Sequence, residues 1–225
     1  MINMNVLSEA KQFGVKRVLS CLSTCCFPDK SDIYPLTEED ILKGEPTQTN
    51  YCYAYAKRSL YVYSNWISKE YNLIYNTFTP CNVYGPNNDC NPETSHFISS
   101  ALTKFNDVPP SGEIVFWGTG QPLRQHIYVD DLAKIIVKLL ERHESNAPII
   151  VAPEENYSIE EIIEMCKDIS GKKNVNINFN QELDGQFRKD GSNKRLLKLI
   201  GDYQFTTMQE GLNKTYKWIQ QERED

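Results

Sequence analysis

No stretch of this sequence approaches the ~20 consecutive apolar residues needed to cross a bilayer, and its opening residues lack the basic-then-apolar order of a signal peptide. Neither a membrane span nor secretion is expected. Positive charge is also short. Lys and Arg total 24 against 30 Asp and Glu, a formal net charge of −6. The pI near 5.2 argues against a nucleic-acid or other polyanion surface, although an acidic surface can still hold a local basic pocket. Histidines number three, and the seven cysteines lack paired spacing or a Cys-x-x-Cys element. A disulfide framework and a zinc site are therefore not expected; free thiols in a reducing, cytoplasmic compartment are, with no bound metal. The sequons at Asn156 and Asn213 then read as chance matches. Internal repeats, low-complexity stretches and linker-like segments are missing too.

What is present alternates between helical and extended patterns. At 225 residues the chain suffices for one large domain or two small ones. Apolar residues at helical spacing run from Met1 to about Phe13, stopped by Gly14. Arg17 to Ser23 reads as a buried strand, residues 27–48 as a loop with one short helical turn, and Tyr51 to Glu70 as a long helix. Its stripe is expected to run through Tyr53, Ala56, Leu60, Tyr63 and Ile67. Leu73 to Phe78 is the next strand, so strand–helix–strand predicts a parallel pair with a right-handed crossover. Further on, residues 83–88 read as a loop. Helices are predicted near 95–105, 132–142, 159–169, 193–200 and 207–221, and extended segments near 113–117, 124–129, 148–152 and 175–179. Ser158 with Glu161 makes a capping box for one helix, and Gly171 closes it. Gly118-Thr119-Gly120 is no dinucleotide fingerprint, because Pro122 follows and a third glycine is missing.

The chemistry gathers around Tyr53-Ala54-Tyr55-Ala56-Lys57, with Ser23-Thr24-Cys25 about thirty positions earlier. Tyr53 and Lys57 lie one turn apart on one helix face. A phenol ordinarily titrates near ~10, and an ammonium one turn away is expected to lower that value. A strand-end hydroxyl such as Ser23 would let a carbonyl oxygen be gripped from two sides. That set suits moving a hydride to or from a carbon that carries oxygen. Taken alone, Tyr-x-x-x-Lys equally serves packing and solvation on an amphipathic helix, so its neighbours must carry the reading.

Those neighbours resemble the extended short-chain dehydrogenases/reductases, and within them the GDP-L-fucose synthase family, over nearly the whole chain. The resemblance rests on Ser20 to Lys30, Tyr53 to Lys57, Pro80 to Pro86, Ser95-His96, Phe116 to Gly120, Arg124 with Tyr128 to Asp131, and Asp184 to Lys189. It implies an α/β fold: the C-terminal half of a Rossmann-type parallel sheet plus a smaller α/β substrate-binding region. Residues 1–85 would form the partial Rossmann region, 86–225 mainly the substrate region, with 125–152 returning to the sheet. The implied activity is 3,5-epimerisation and 4-reduction of GDP-4-keto-6-deoxy-D-mannose with NADP(H). Tyr53 would be the proton donor, Lys57 would lower its pKa and hold the nicotinamide ribose, and Ser23 would bind the substrate carbonyl. Cys25 and His96 would be the base and acid of epimerisation. Leu22, Ser23, Thr24, Tyr53, Lys57, Pro80, Cys81, Asn82, Val83 and His96 would line the cofactor, and Lys104, Trp117, Arg124, Asp184 and Lys189 the GDP-sugar. Family members pair as homodimers through a helix pair of the Rossmann half, one of which would here be Tyr53 to Glu70.

Three readings stay open at this point. The family's first β-α-β-α-β half, with its glycine-rich turn, is expected to be missing from this chain, which would weaken NADPH binding and turnover. A non-catalytic fragment that binds a GDP-sugar or a partner chain is the second, and another nucleotide-sugar 4-epimerase or dehydratase the third. Cys25 with His96 argues against the last. Cys26 reads as core, His126 as structural, and His143, in a charged helix end, as solvated.

Overall fold

The computed structural model describes residues 2–91, 94–180 and 184–224; Met1, counted in the first helix above, lies outside them. In chain order the elements are α1 (Ile2–Gln12), β1 (Arg17–Cys21), α2 (Tyr51–Tyr71), β2 (Ile74–Pro80), β3 (Asn82–Tyr84), α3 (Phe97–Asp107), β4 (Glu113–Trp117), β5 (Leu123–Arg124), β6 (His126–Tyr128) and α4 (Val129–Arg142). They continue with β7 (Ile149–Val151), β8 (Tyr157–Ser158), α5 (Ile159–Ser170), β9 (Asn176–Asn180), α6 (Lys194–Ile200) and α7 (Met208–Glu224).

The chain divides into two units. The first comprises Met1–Cys81, Leu132–Glu154 and Lys189–Gln204. Its sheet has the order β1-β2-β7, all parallel, with Arg17 opposite Ile74 and Phe78 opposite Ile149. Adjacent parallel strands need a crossover, and α2 supplies the one between β1 and β2. The central strand β2 is buried along nearly its whole length, as a strand flanked on both sides should be. Asn76 on this strand is 3 % exposed, and its amide is satisfied by the carbonyls of His143 and Ser145.

Three local differences from the sequence expectations have clear causes. β1 ends at Cys21 because Ser23 leaves the strand to cap a 3-10 turn over Thr24–Cys26. The buried stripe of α2 runs through Ala54, Arg58, Leu60, Ser64 and Ile67, so Tyr53 and Ala56 face outward. Arg58 explains the rotation: its guanidinium is buried because three backbone carbonyls, those of Cys26, Gly44 and Lys43, receive it. His143 is 3 % exposed rather than solvated, with Nε2 2.7 Å from the Ala147 carbonyl, and burial lowers its pKa.

The second unit comprises Asn82–Asp131, Glu155–Arg188 and Phe205–Asp225. Residues expected to loop after Val83 instead begin as β3, which pairs in parallel with β6. The division between the units falls between Cys81 and Asn82. Strands β4 and β9 pair in parallel, and β5 and β8 antiparallel. Helices α3, α5 and α7 contribute Leu102, Phe105, Ile163, Leu212 and Ile219 to one core with Phe116 of β4. Each such side chain removed from water contributes about 1.5–3 kcal/mol. The capping box predicted for α5 is formed in full, and Gly171 ends the helix at φ 69°.

Candidate active site

The first unit gathers a hydroxyl, a thiol, a phenol and an ammonium at the carboxyl end of β1. The strand is extended by one bond, from the Leu22 amide to the Phe78 carbonyl at 2.8 Å. Ser23 then turns out of the sheet, and its Oγ accepts the Cys25 amide at 3.2 Å. Arg58 pins the back of this turn through the Cys26 carbonyl at 2.8 Å, and Cys26 itself is fully buried. Ser23 and Cys25 remain partly open on the other side. From α2, Tyr53 is 48 % exposed, and its phenol lies near enough to the Ser23 side chain to be influenced by it. One turn later, Lys57 Nζ donates to the Cys21 carbonyl at 2.7 Å. Ligands in open α/β sheets sit beyond the carboxyl ends of strands, where this set lies.

The electrostatics correct one expectation. The Tyr53 phenol is held above its ordinary value, first by burial; the Ser23 side chain pulls it back, and the neighbouring thiols Cys25, Cys21 and Cys26 push it further up. The expected lowering by Lys57 does not prevail; burial of the phenol sets the direction. Burial also raises Cys21, with Lys57 pulling the other way, and carries Cys26 to about 11, so neither thiol is poised as a nucleophile.

The residues expected to meet a cofactor differ in what they can offer. Leu22 is 2 % exposed, Thr24 and Cys81 6 %, and Pro80 is buried, so their contribution would be shape and the little surface left. Asn82 and Val83 are partly exposed, and Asn82 Nδ2 is bonded to the Gln125 carbonyl at 3.0 Å. Lys57 and Tyr53, an ammonium and a half-open phenol beside an open strand end, fit the hydroxyls of a nicotinamide ribose.

The second unit holds the other expected residues. His96 is exposed at the N-cap of α3, with φ −67° and ψ 159° and no side-chain cap bond. Lys104 Nζ donates to the Val115 carbonyl at 3.3 Å and lies 5.0 Å from the Phe116 ring centre; burial lowers its pKa. Trp117, the last residue of β4, is 78 % exposed. Arg124 Nη1 donates to the carbonyls of Leu123 at 2.7 Å and Phe187 at 3.3 Å. Asp184 accepts from Thr119 with both carboxylate oxygens. Lys189 belongs to the first unit, where its charge acts on the buried Cys81.

Sequence reasoning missed Arg58 and Thr119. Arg58 was indistinguishable from a solvated helix cation, and Thr119 carried no signal beyond its flanking glycines. His126 is buried, edge-on to Tyr84 at 6.2 Å, as a structural residue should be. No helix among the described residues is long and apolar enough to cross a membrane.

The chain is similar to known proteins over nearly its whole length. Residues 1–152 match the NAD dependent epimerase/dehydratase family. A probable GDP-L-fucose synthase of Drosophila melanogaster is 36 % identical, the match covering 97 % of this chain and 71 % of the relative. The GDP-L-fucose synthase of Dictyostelium discoideum is also 36 % identical, over 97 % of this chain and 69 % of its own length. The crystal structure of a GDP-L-fucose synthetase from Naegleria fowleri bound to NADP superposes with a TM-score of 0.90 at 32 % identity, covering 99 % of this chain and 71 % of that one.

Proposed function

Because this chain belongs to the NAD dependent epimerase/dehydratase family, we propose that it converts GDP-4-keto-6-deoxy-D-mannose to GDP-L-fucose by 3,5-epimerisation and NADPH-dependent 4-reduction. The observation that carries this reading is the meeting of Ser23, Cys25, Tyr53 and Lys57 at one strand end, in a chain 36 % identical to GDP-L-fucose synthase relatives.

The residues divide the work by their chemistry. A ketone at C4 acidifies the protons at C3 and C5, and these become removable once the enolate oxygen is stabilised. Ser23 and Tyr53 supply hydroxyls to that oxygen. By the family resemblance Cys25 would take up each proton and His96 would return one, since a thiol and an imidazole both exchange protons near neutrality. In the reductive step Tyr53 gives its proton to the C4 oxygen, and Ser23 keeps that oxygen in place. Bound NADPH supplies the hydride. Lys57 and Tyr53 would hold its ribose, with Leu22, Thr24 and residues 80–83 around it. Lys104, Arg124 and Lys189 provide cations for the diphosphate, and Trp117 an exposed aromatic face.

We read the protein as a cytoplasmic homodimer. All seven cysteines are free, as a reducing compartment requires. The outward face of α2 exposes Tyr55, Val62 and Trp66, which with Met4 and Leu42 line an apolar groove of about 770 Å³. Covering that surface with a second copy would remove it from water.

The test is product formation in deuterated water with NADPH and GDP-4-keto-6-deoxymannose. Wild-type chain should yield GDP-fucose labelled at C3 and C5. Tyr53→Phe should lose reduction by about 10²–10⁴-fold, the range for a positioned proton donor, while still incorporating deuterium. Cys25→Ser should lose the label. Sugar returned unlabelled and unreduced by the wild type would overturn the proposal.

A further inference from the structure

Two consecutive residues of α2 hold the segment Ser23-Thr24-Cys25 from either side. Lys57 Nζ donates to the Cys21 carbonyl at 2.7 Å, and Arg58 Nε donates to the Cys26 carbonyl at 2.8 Å. Helix neighbours point about 100° apart, so the two cations reach carbonyls on opposite flanks of the segment.

The two flanks are anchored differently. On the Ser23 side the strand continues: the Leu22 amide donates to the Phe78 carbonyl at 2.8 Å, close to the Lys57 bond. On the Cys25 side the chain has left the sheet for the 3-10 turn over Thr24–Cys26. The bonds of that turn are short-range. They run from the Cys25 amide to Ser23 Oγ at 3.2 Å, from the Cys26 amide to the Ser23 carbonyl at 3.0 Å, and from the Phe27 amide to the Thr24 carbonyl at 3.2 Å. Such bonds fix the shape of a turn but not its place. Its place comes from Cys26, which is fully buried with Sγ 4.0 Å from the Ala54 carbonyl oxygen, and whose own carbonyl receives Arg58. A thiol is a weak donor and a guanidinium a strong one, so Arg58 is the firmer tie.

Arg58 is itself held. It is 6 % exposed, and its Nη1 and Nη2 donate to the carbonyls of Gly44 at 2.9 Å and Lys43 at 3.3 Å. Gly44 takes φ 57°, and a Cβ there would stand 3.1 Å from Pro28 Cβ, so this approach of the chain favours glycine. The same stretch is tied twice more, by the Tyr55 hydroxyl to Glu45 Oε2 at 2.9 Å and by the Asp29 amide to the Glu45 carbonyl at 2.8 Å. A rigid planar fork between two fixed segments transmits their position to Cys26.

We propose that Arg58 is a positioning residue for Cys25, holding the Thr24–Cys26 turn where the thiol serves epimerisation, while Lys57 and the strand hold Ser23 for reduction. Arg58 acts through the Cys26 carbonyl and touches neither sugar nor cofactor. The inference rests on the epimerisation reading above for the role of Cys25, and goes beyond it by giving the two steps separate anchors. Loss of Arg58 should therefore slow proton exchange and leave hydride transfer nearly intact.

The experiment compares the full wild-type chain with Arg58→Met and Arg58→Lys. The first keeps the stem and removes every donor; the second keeps the charge but cannot reach the Cys26, Gly44 and Lys43 carbonyls at once. Backbone hydrogen exchange at Cys26 and Phe27 should quicken in both variants, with Leu22 at the wild-type rate. Deuterium incorporation at C3 and C5 of GDP-4-keto-6-deoxymannose should fall about 10²-fold in Arg58→Met, the cost of misplacing a reacting group by about 1 Å. Arg58→Lys should lose about tenfold, and KM for the sugar should stay within about threefold of wild type in both. NADPH-dependent reduction of sugar already epimerised by Tyr53→Phe should likewise stay within about threefold.

If Arg58→Met does not fold, Arg58→Lys decides alone; if neither folds, Arg58 is a residue of the core and the assignment is overturned. Equal losses of exchange and reduction would overturn it too, since general loosening of the site moves both. So would amides at the wild-type rate in a folded variant, or undiminished deuterium incorporation where the Cys26 and Phe27 amides have quickened. If the wild type itself leaves the sugar unlabelled, the reaction proposed above fails, whereas the amide exchange still decides whether Arg58 anchors the turn.

Discussion

The ammonium of Lys57 lies 5.8 Å from the centre of the Tyr53 ring, yet donates to the Cys21 carbonyl at 2.7 Å rather than serving the phenol. Distance alone permits a cation–π attraction. Burial nevertheless holds the phenol above its ordinary value, against the pull of the Ser23 side chain. The direction suits a proton donor: raising the pKa keeps Tyr53 protonated through neutral pH, and donation fails only as pH climbs through that raised value. The tyrosinate absorbance difference between the wild type and Tyr53→Phe should therefore titrate above ~10 in the free chain. A midpoint below that value would show that Lys57 governs the phenol after all.

Five of the seven thiols should divide by burial. Cys26, Cys81 and Cys166 are buried, and burial raises the pKa of all three. Cys52 is exposed and Cys25 partly so. Brief alkylation of the native chain, read by peptide mass spectrometry, should modify the second group and spare the first, since only an accessible thiolate reacts. Early modification of Cys26 would mean that the turn pinned by Arg58 opens in solution.

Glu38 offers a test of stability against pH. Its carboxylate is 6 % exposed; Oε1 accepts the Ile150 amide at 3.0 Å, and Arg195 Nε lies 3.8 Å from Oε2. Arg195 is shared with Glu39, which it holds below the ordinary range. Burial is the largest influence on Glu38 and raises its pKa. A carboxyl with a raised folded pKa binds its proton more tightly when folded, so the stability it contributes is present in acid and lost as pH rises through the folded value. At pH 7 Glu38→Gln removes a buried charge and keeps an acceptor for Ile150. The variant should match the wild type or exceed it by up to about 1 kcal/mol there, with the margin shrinking toward pH 4. Denaturant melts at the two pH values decide it; a loss larger than about 1 kcal/mol at pH 7 would mean that the Arg195 attraction outweighs burial.

Much of this fold was legible because its signals are local. The β1–α2–β2 crossover followed from two apolar runs around one amphipathic stretch, and the α5 capping box from Ser158 and Glu161 alone. What escaped depends on distant partners. Nothing around Arg58 foretells that the Cys26, Gly44 and Lys43 carbonyls will surround it, and that burial rotates the expected stripe of α2. His143 sits among charged neighbours in sequence, but in space its carbonyl receives Arg17 and Asn76. For the site, the chemistry of Ser23, Tyr53 and Lys57 was readable from residue type and spacing. The direction of the Tyr53 shift was not, because it is set by how deeply the phenol is buried.

Gly211 shows how packing reverses a local preference. It lies in the first turn of α7, where its amide donates to the Thr207 carbonyl at 2.9 Å and its carbonyl accepts Thr215 Oγ1 at 2.7 Å. In an exposed helix, Gly→Ala gains about 1 kcal/mol. Here a Cβ would stand 2.0 Å from the Tyr84 hydroxyl oxygen and 2.7 Å from Cζ. Tyr84 cannot swing aside, being 3 % exposed with its ring edge-on to Tyr128 at 5.7 Å. Overpacking of this kind costs about 1–3 kcal/mol and should exceed the helical gain. With about 2–4 °C of melting temperature per kcal/mol in a chain this size, Gly211→Ala should melt a few degrees below wild type. Adding Tyr84→Phe removes the nearest clashing atom, so the double variant should recover part of the loss. A single variant that melts at or above wild type would show that α7 shifts freely against β3.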